Sequence, residues 1–117
     1  MSKSVLIVDD SLVSRMMIRE IILSRNPDWE LLQAASSEKA LDACSKHQFD
    51  YITIDLNMPG ESGLEVSPKI LAIQPNVKIA LVTANISPEI KLEANSIGVG
   101  YINKPITEAE IFGFING

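Results

Sequence analysis

Residues 51–60, YITIDLNMPG, form the stretch on which the fold prediction depends. Its first half is short, apolar and rich in β-branched side chains, which is typical of a buried strand. The strand ends on Asp55, and Asn57, Pro59 and Gly60 supply turn residues directly after it. In an open parallel sheet, ligands bind beyond the carboxyl ends of the strands. Asp55 is therefore a candidate nucleophile or metal ligand, and the alternative is a helix N-cap or an Asx-turn.

Four further apolar runs lie before and after this stretch, and segments with helical spacing separate all five. We predict the other strands at residues 5–8, 30–34, 77–82 and 100–103. The helices are expected at residues 11–25, 36–47, 62–74, 87–97 and from 107 onward. Right-handed crossovers leave few strand orders for such a chain, and 2-1-3-4-5 is a common one. The sequence therefore predicts an α/β fold in which helices cover both faces of a five-stranded parallel sheet.

Capping signals mark the start of two helices. Ser62 and Glu65 stand in capping-box spacing at the third helix, and Thr107 and Glu110 repeat this spacing at the last one. Pro68 conflicts with the third helix, because a proline inside a helix removes a hydrogen bond and clashes with the preceding turn. We therefore expect a kink at this proline, or a helix that begins only there.

Helical periodicity separates core-facing side chains from exposed ones. The apolar stripe expected on the first helix consists of Leu12, Met16, Ile18, Ile21 and Ile22. On the fourth helix, Leu92 points away from the predicted core face, and on the last helix Phe114 lies off the apolar stripe. With Tyr101 on the fifth strand, these two side chains are expected to contribute to a surface for a partner or a dimer.

Composition limits the class of protein. The chain is long enough for one domain over residues 1–117, and 46% hydrophobic residues are typical of a packed core. Fifteen acidic against ten basic residues give a net charge of −5, which disfavours a nucleic-acid surface. No apolar run approaches the roughly 20 residues that cross a bilayer, so we expect no membrane segment. The single cysteine excludes an internal disulfide, and we expect a cytoplasmic protein.

Polar residues end or follow four of the five predicted strands. Asp9 and Asp10 follow the first strand, Asp55 ends the third, Thr83 follows the fourth and Lys104 follows the fifth. Because the carboxyl ends of parallel strands meet at one edge of the sheet, we expect these five side chains to converge.

Three carboxylates at that edge repel one another, at a cost of about 3 kcal/mol per pair at roughly 5 Å and an effective dielectric near 20. Lys104 offsets part of this repulsion, and a divalent cation would offset more. Ligands that are all oxygen select magnesium, manganese or calcium over zinc. The only histidine, His47, falls at the end of the second helix, and we expect it to be exposed and not to bind metal.

A carboxylate beside magnesium, a lysine and a hydroxyl is suited to phosphoryl transfer, in which positioning and charge neutralisation supply most of the catalysis. Asp55 would attack phosphorus and become an aspartyl phosphate. Lys104 would stabilise the phosphoryl oxygens as a point charge, and Thr83 would donate a hydrogen bond to one of them.

The sequence resembles a response-regulator receiver domain of two-component signalling over nearly its whole length. The motifs that carry the resemblance are Val8-Asp9-Asp10, residues 55–60 (DLNMPG), Thr83-Ala84 and residues 101–105 (YINKP). The resemblance implies a flavodoxin-like (βα)5 fold and a signalling domain rather than an enzyme.

The resemblance also implies site roles. Asp55 accepts phosphate from the phosphohistidine of a histidine kinase, from a phosphotransfer protein or from a small phosphodonor. Asp10 and Asp55 bind Mg²⁺ (with Mn²⁺ possible) through their side chains, Asn57 through its backbone carbonyl, and Asp9 mostly through water. Asn57 and Asn85 occupy the positions that tune hydrolysis of the phosphate.

For the switch, the resemblance implies that Thr83 moves toward the phosphate and that the Tyr101 ring turns into the vacated space. Lys104 contacts the phosphoryl group, and the peptide bond before Pro105 is expected to be cis. The output surface comprises the fourth helix, the fifth strand and the fifth helix, and it would bind a downstream effector or a second receiver. The chain can be a stand-alone signalling protein or part of a longer regulator, and the sequence leaves both open.

Three other interpretations fit parts of the same pattern. A phosphatase or phosphotransferase of the haloacid-dehalogenase type also forms an aspartyl phosphate, but it has a second aspartate two residues later, where this chain has Asn57. A flavodoxin-like FMN carrier needs a hydroxyl- and glycine-rich phosphate loop after the first strand, where Asp9 and Asp10 would repel the phosphate. A receiver that cannot be phosphorylated is disfavoured because the acceptor set is complete.

Overall fold

Five strands alternate with five helices along the chain, in a computed structural model that describes residues 2–116. The strands are β1 (Ser4–Val8), β2 (Glu30–Ala34), β3 (Tyr51–Asp55), β4 (Lys78–Thr83) and β5 (Gly100–Asn103). The helices are α1 (Leu12–Arg25), α2 (Ser37–Lys46), α3 (Gly63–Ile73), α4 (Pro88–Ile97) and α5 (Glu108–Asn116). All strands are parallel in the order β2-β1-β3-β4-β5, which confirms the predicted fold class. Within residues 2–116, no helix has both the length and the apolar character needed to cross a membrane.

Both faces of the sheet are covered by helices. Alternate residues of β1 point to opposite layers, so Leu6 and Val8 pack with α2, α3 and α4, whereas Val5 and Ile7 pack with α1 and α5. Because both faces of the sheet are buried, the strands appear in the sequence as continuous apolar runs. The carboxyl ends of the strands are the edge where charged side chains collect.

Serine side chains start four of the helices. Ser11, Ser36, Ser62 and Ser87 each accept a hydrogen bond from the backbone amide three residues later. Gly98 ends α4 in the left-handed conformation at φ 89°, which favours glycine. These polar contacts satisfy amides and carbonyls that would otherwise lack partners at the helix ends.

The start of α3 excludes one of the two alternatives expected at Pro68, because the helix begins at Gly63 and runs through this proline rather than beginning there. The capping box is complete: the Glu65 amide donates to Ser62 Oγ at 3.2 Å, and the Ser62 amide donates to the Glu65 carboxylate at 3.0 Å. The Ser67 hydroxyl donates to the Gly63 carbonyl at 2.6 Å. These bonds stabilise the first turn ahead of the proline.

Only one of the two hydrogen bonds of the capping box predicted for α5 is present among the described residues. The Glu110 amide donates to Thr107 Oγ1 at 3.3 Å, as expected. The Glu110 carboxylate instead accepts the Asn103 amide at 2.8 Å, at the end of β5. The last amide of the edge strand β5 thus bonds to a charged acceptor, the Glu110 carboxylate. This hydrogen bond holds α5 against β5.

The predicted stripe on α1 is partly wrong. Ile18 and Ile22 are buried, but Leu12 is 60% exposed and Met16 is 40% exposed. At about 100° per residue, Met16 lies roughly 200° around the helix from Ile18, so these two residues cannot share a face. The predicted stripe combined two faces of α1, of which the one carrying Ile18 and Ile22 is buried.

Candidate functional site

Three carboxylates meet at the carboxyl ends of two neighbouring strands. Asp9 and Asp10 follow β1, Asp55 ends β3, and these strands pair in parallel register. One oxygen from each carboxylate lies within 4.8 Å of the others. Asp9 and Asp55 are buried, whereas Asp10 is exposed. The structure thus brings together the acidic residues that the sequence predicted to converge.

Lys104 completes the cluster from the end of β5. Its Nζ lies 3.7 Å from Asp9 Oδ2 and 3.6 Å from Asp55 Oδ2. The Lys104 amide donates to the Thr83 carbonyl at 2.9 Å, and the bond between Lys104 and Pro105 is cis, as expected. One ammonium group therefore faces two buried carboxylates.

Each buried carboxylate has one oxygen bonded locally and one directed at the cluster. The Ser11 amide donates to Asp9 Oδ1 at 2.8 Å, and the Asn57 amide donates to Asp55 Oδ1 at 3.2 Å. The Asx-turn alternative for Asp55 is therefore present, and the same side chain also lies in the acidic cluster. Within residues 2–116, the buried Asp9 Oδ2 has no hydrogen-bond partner.

Burial raises the pKa of Asp9 above its usual value, and the charges of Asp55 and Asp10 raise it further. The amide of Ser11 and the ammonium of Lys104 act in the opposite direction. The raised pKa means that Ser11 and Lys104 do not fully offset the burial of this carboxylate and its repulsion by the other two. A cation in the cluster would supply the missing compensation.

The donor set fits a hard divalent cation. All the candidate ligand atoms are carboxylate oxygens, which suit Mg²⁺, Mn²⁺ or Ca²⁺. Among the described residues, the buried Asp9 Oδ2 accepts no hydrogen bond, and such an ion or its bound water would satisfy it. His47 lies at the end of α2, exposed and next to Phe49, which agrees with its exclusion as a ligand.

Thr83 and Tyr101 lie on the neighbouring strands β4 and β5, and Tyr101 is in register with Leu81, two residues before Thr83. Thr83 is buried at the end of β4, and the Asn85 amide donates to its Oγ1 at 3.2 Å. Tyr101 on β5 is 39% exposed, and the Lys91 ammonium lies 5.7 Å from the centre of its ring. The ring therefore points outward in this structure, while the threonine hydroxyl lies inside.

Comparison with known proteins shows the family. The family model of the response regulator receiver domain matches residues 5–116. The chain belongs to the response regulator receiver domain family. It is 30% identical over 118 residues to the chemotaxis protein CheY of Thermotoga maritima, with 99% of this chain and 97% of that protein covered. Receiver domains are signalling domains of two-component systems, and the family typically binds Mg²⁺.

Solved structures agree with this assignment. The chemotaxis response regulator CheY4 of Vibrio cholerae is 28% identical, with a TM-score of 0.88 and coverage of 99% of this chain and 98% of that one. A response regulator from Burkholderia pseudomallei, solved with a phosphorylated aspartic acid and a calcium ion, is 25% identical. Its TM-score is 0.87, and the match covers 97% of this chain and 66% of that one.

The expected output surface is only partly exposed in this receiver domain. Leu92 on α4 is 70% exposed and Tyr101 is also exposed. Phe114 lies off the buried stripe of α5, as predicted, but it is half-buried and packs edge-to-face against Tyr51 at 5.5 Å. Tyr51 begins β3, at the end of the sheet opposite Asp55. We therefore omit Phe114 from the candidate surface.

Arg15 on α1 also contacts the site, although no motif in the sequence singled it out. Its Nη1 donates to the Asp9 backbone carbonyl at 2.7 Å, and its Nε donates to Gln33 Oε1 at 2.9 Å. A usable signal was present, because helical side chains lean toward the N-terminus of their helix and Arg15 lies one turn after the N-cap Ser11.

Proposed function

We propose that Asp55 accepts a phosphoryl group from the phosphohistidine of a histidine kinase or a phosphotransfer protein in the cytoplasm. The observation that carries this proposal is the buried Asp55 carboxylate, 3.6 Å from the Lys104 ammonium and clustered with Asp9 and Asp10. The solved relative with a phosphorylated aspartic acid supports it.

The transfer is a displacement at phosphorus. A carboxylate oxygen of Asp55 forms the new P–O bond while the P–N bond of the donor breaks, and its electron pair returns to the imidazole. Lys104 holds a positive charge against the phosphoryl oxygens as they leave the donor. The carboxylates of Asp9, Asp10 and Asp55 and the carbonyl of Asn57 would hold Mg²⁺, which neutralises negative charge on the phosphoryl group when bound.

An exposed apolar patch next to the acidic cluster supports a protein as the donor. The patch lies on the first half of α1 and consists of Leu12, Val13, Met16 and Met17. Because α1 begins two residues after Asp10, a protein docked on this patch would bring its phosphohistidine close to Asp55. Met17→Glu should therefore slow transfer from a phosphorylated kinase while leaving phosphorylation by acetyl phosphate unchanged.

Phosphorylation would reach the output surface through Thr83. Its hydroxyl would donate to a phosphoryl oxygen, and the Tyr101 ring would turn inward into the space that it leaves. A shift from 1:99 to 99:1 requires about 5.5 kcal/mol, which several charge-assisted hydrogen bonds can supply. The surface formed by Leu92 and the reoriented Tyr101 ring would then bind a downstream effector or a second receiver.

The domain would have no turnover chemistry beyond its own phosphorylation and dephosphorylation. Asn57 and Asn85 are both exposed beside the acceptor site, and we propose that they set the rate at which water removes the phosphate.

Incubation with acetyl phosphate and Mg²⁺, followed by intact mass spectrometry, tests the proposed function. We expect the mass gain of one phosphoryl group in the wild type, and none in Asp55→Asn or with excess chelator. A wild type that gains no mass under these conditions, or an Asp55→Asn variant that gains it, would refute the proposal.

A further inference from the structure

Arg15 connects α1 to the two strands beneath it. Its guanidinium donates to the Asp9 carbonyl at 2.7 Å through Nη1 and to the side chain of Gln33 at 2.9 Å through Nε. Gln33 lies on β2, directly beside Ile7 of β1 in the parallel register. Gln33 of β2 therefore orients the planar guanidinium group, which also binds Asp9, the residue that follows β1.

The carbonyl that Arg15 binds belongs to the peptide group between Asp9 and Asp10. The Asp9 amide donates to the Ala34 carbonyl at 3.1 Å, so the bond from Arg15 to the Asp9 carbonyl is a second anchor of the backbone at this residue. The Asp10 side chain is exposed, and its place in the acidic cluster depends on the backbone that carries it. Because the bond from Arg15 holds the peptide group between Asp9 and Asp10, it also limits the direction in which the Asp10 side chain points.

We propose that Arg15 is a positioning residue for the cation site, acting through the Asp9 carbonyl to hold the Asp10 and Asp9 carboxylates in their binding arrangement. This inference rests on the proposed function, because it concerns the divalent cation that phosphoryl transfer to Asp55 requires. Arg15 contacts a backbone oxygen and is not itself a ligand.

Electrostatics and positioning predict opposite results when Arg15 is removed. Arg15 carries a positive charge next to a cation site, so its loss by charge alone would tighten binding of Mg²⁺. Loss of a group that orients metal ligands typically weakens metal affinity 10- to 100-fold. The sign of the change therefore separates the two effects.

The experiment measures the dissociation constants of Mg²⁺ and Mn²⁺ by isothermal titration calorimetry, with each metal alone, in the wild type and in four variants. We expect Arg15→Met to weaken binding about 10-fold. Arg15→Lys, which keeps the charge and one donor, should restore part of the affinity. Gln33→Leu, which removes the anchor of the guanidinium without changing the charge, should weaken binding by less than Arg15→Met.

Arg19→Met is the matched control. Arg19 lies one turn further along α1, pairs with Glu20 at 2.9 Å, and carries the same charge as Arg15. Replacing Arg19 should leave the affinity for Mg²⁺ and Mn²⁺ unchanged or slightly increase it. If Arg15→Met does not fold, as judged by thermal unfolding, Gln33→Leu alone carries the test.

The outcomes separate this inference from the proposed function. A wild type that binds neither metal refutes the cation site itself. If the wild type binds, unchanged or tighter binding in Arg15→Met refutes the positioning role and leaves the proposed function intact. Equal weakening in Arg15→Met and Arg19→Met also refutes it.

Discussion

At the scale of single residues, the two buried carboxylates have two functions each. Asp9 and Asp55 each accept a backbone amide two residues later through Oδ1, which fixes the turn after the strand. The other oxygen of each is left facing Lys104. The local bonds therefore aim the second oxygen into the cluster, where burial and, to a smaller extent, the charges of Asp55 and Asp10 raise the pKa of Asp9.

Thr53 gives a prediction at the same scale. It lies on β3 two residues before Asp55, it is 1% exposed, and within residues 2–116 its hydroxyl has no hydrogen-bond partner. We expect Thr53→Val to raise the free energy of unfolding by about 1 kcal/mol, because valine fills the same space without burying an unpaired hydroxyl. Urea denaturation measures the change.

Thr53→Ala is the matched comparison for this prediction. It also removes the hydroxyl but leaves a gap between packed strands, so it should be less stable than Thr53→Val. A Thr53→Val variant that loses 1 kcal/mol or more would mean that the hydroxyl has a partner in solution.

At the scale of elements, the sequence predicted most boundaries because their signals are local. Serine caps and Gly98 act within a few residues, and the observed helices begin and end there. The error on α1 was one of helical periodicity, because the predicted stripe combined two faces of the helix. Two other differences arose where a distant contact outweighed the local signal. The Glu110 carboxylate bonds to β5 rather than completing its own box, and Phe114 packs against Tyr51.

The capping box of α3 predicts a pH dependence. The Ser62 amide, which donates to the Glu65 carboxylate, holds the pKa of Glu65 below its usual value of 4.5. A lowered pKa in the folded state contributes stability above pH 4.5, and this contribution is lost as the pH falls through the lowered value. The stability difference between wild type and Glu65→Ala, from urea denaturation, should therefore shrink below pH 4.5. A difference that stays constant down to pH 3 would contradict this account.

Two helical glycines give opposite predictions. A Cβ added at Gly63 would lie 3.0 Å from the Asp55 carbonyl and 3.0 Å from Leu81 Cδ2, whereas one added at Gly113 would have no atom within 4 Å. Gly63→Ala should thus destabilise the domain by roughly 1–3 kcal/mol, since backbone and core must shift. Gly113→Ala should stabilise it by about 0.5–1 kcal/mol, because alanine favours the helix. Equal effects in thermal unfolding would contradict this reasoning.

At the scale of the whole molecule, the topology explains how distant residues form one site. Strands β1 and β3 are neighbours, β4 and β5 follow, and all end at the same edge. Alternating strands and helices, joined by right-handed crossovers, left few strand orders, and the observed order is the common one that was predicted. The cluster of Asp9, Asp10, Asp55 and Lys104 follows directly from it.

The sequence could not predict contacts that depend on side-chain packing between elements. Helix geometry directs Arg15 toward the start of α1, but its bonds to the Asp9 carbonyl and to Gln33 also depend on the distance from α1 to β1 and β2, which no local pattern contains. The outward position of the Tyr101 ring beside Lys91 also depends on the spacing of α4 and β5. Such contacts determine how the site is held and how it signals.

Locating the phosphoryl group tests the central claim most directly. After incubation with acetyl phosphate and Mg²⁺, borohydride converts an aspartyl phosphate to homoserine, and tandem mass spectrometry of the digested protein identifies the residue changed. We predict that this conversion occurs at Asp55 and depends on Mg²⁺. Conversion at Asp9 or Asp10, or phosphate found on His47 with Asp55 unmodified, would contradict the account.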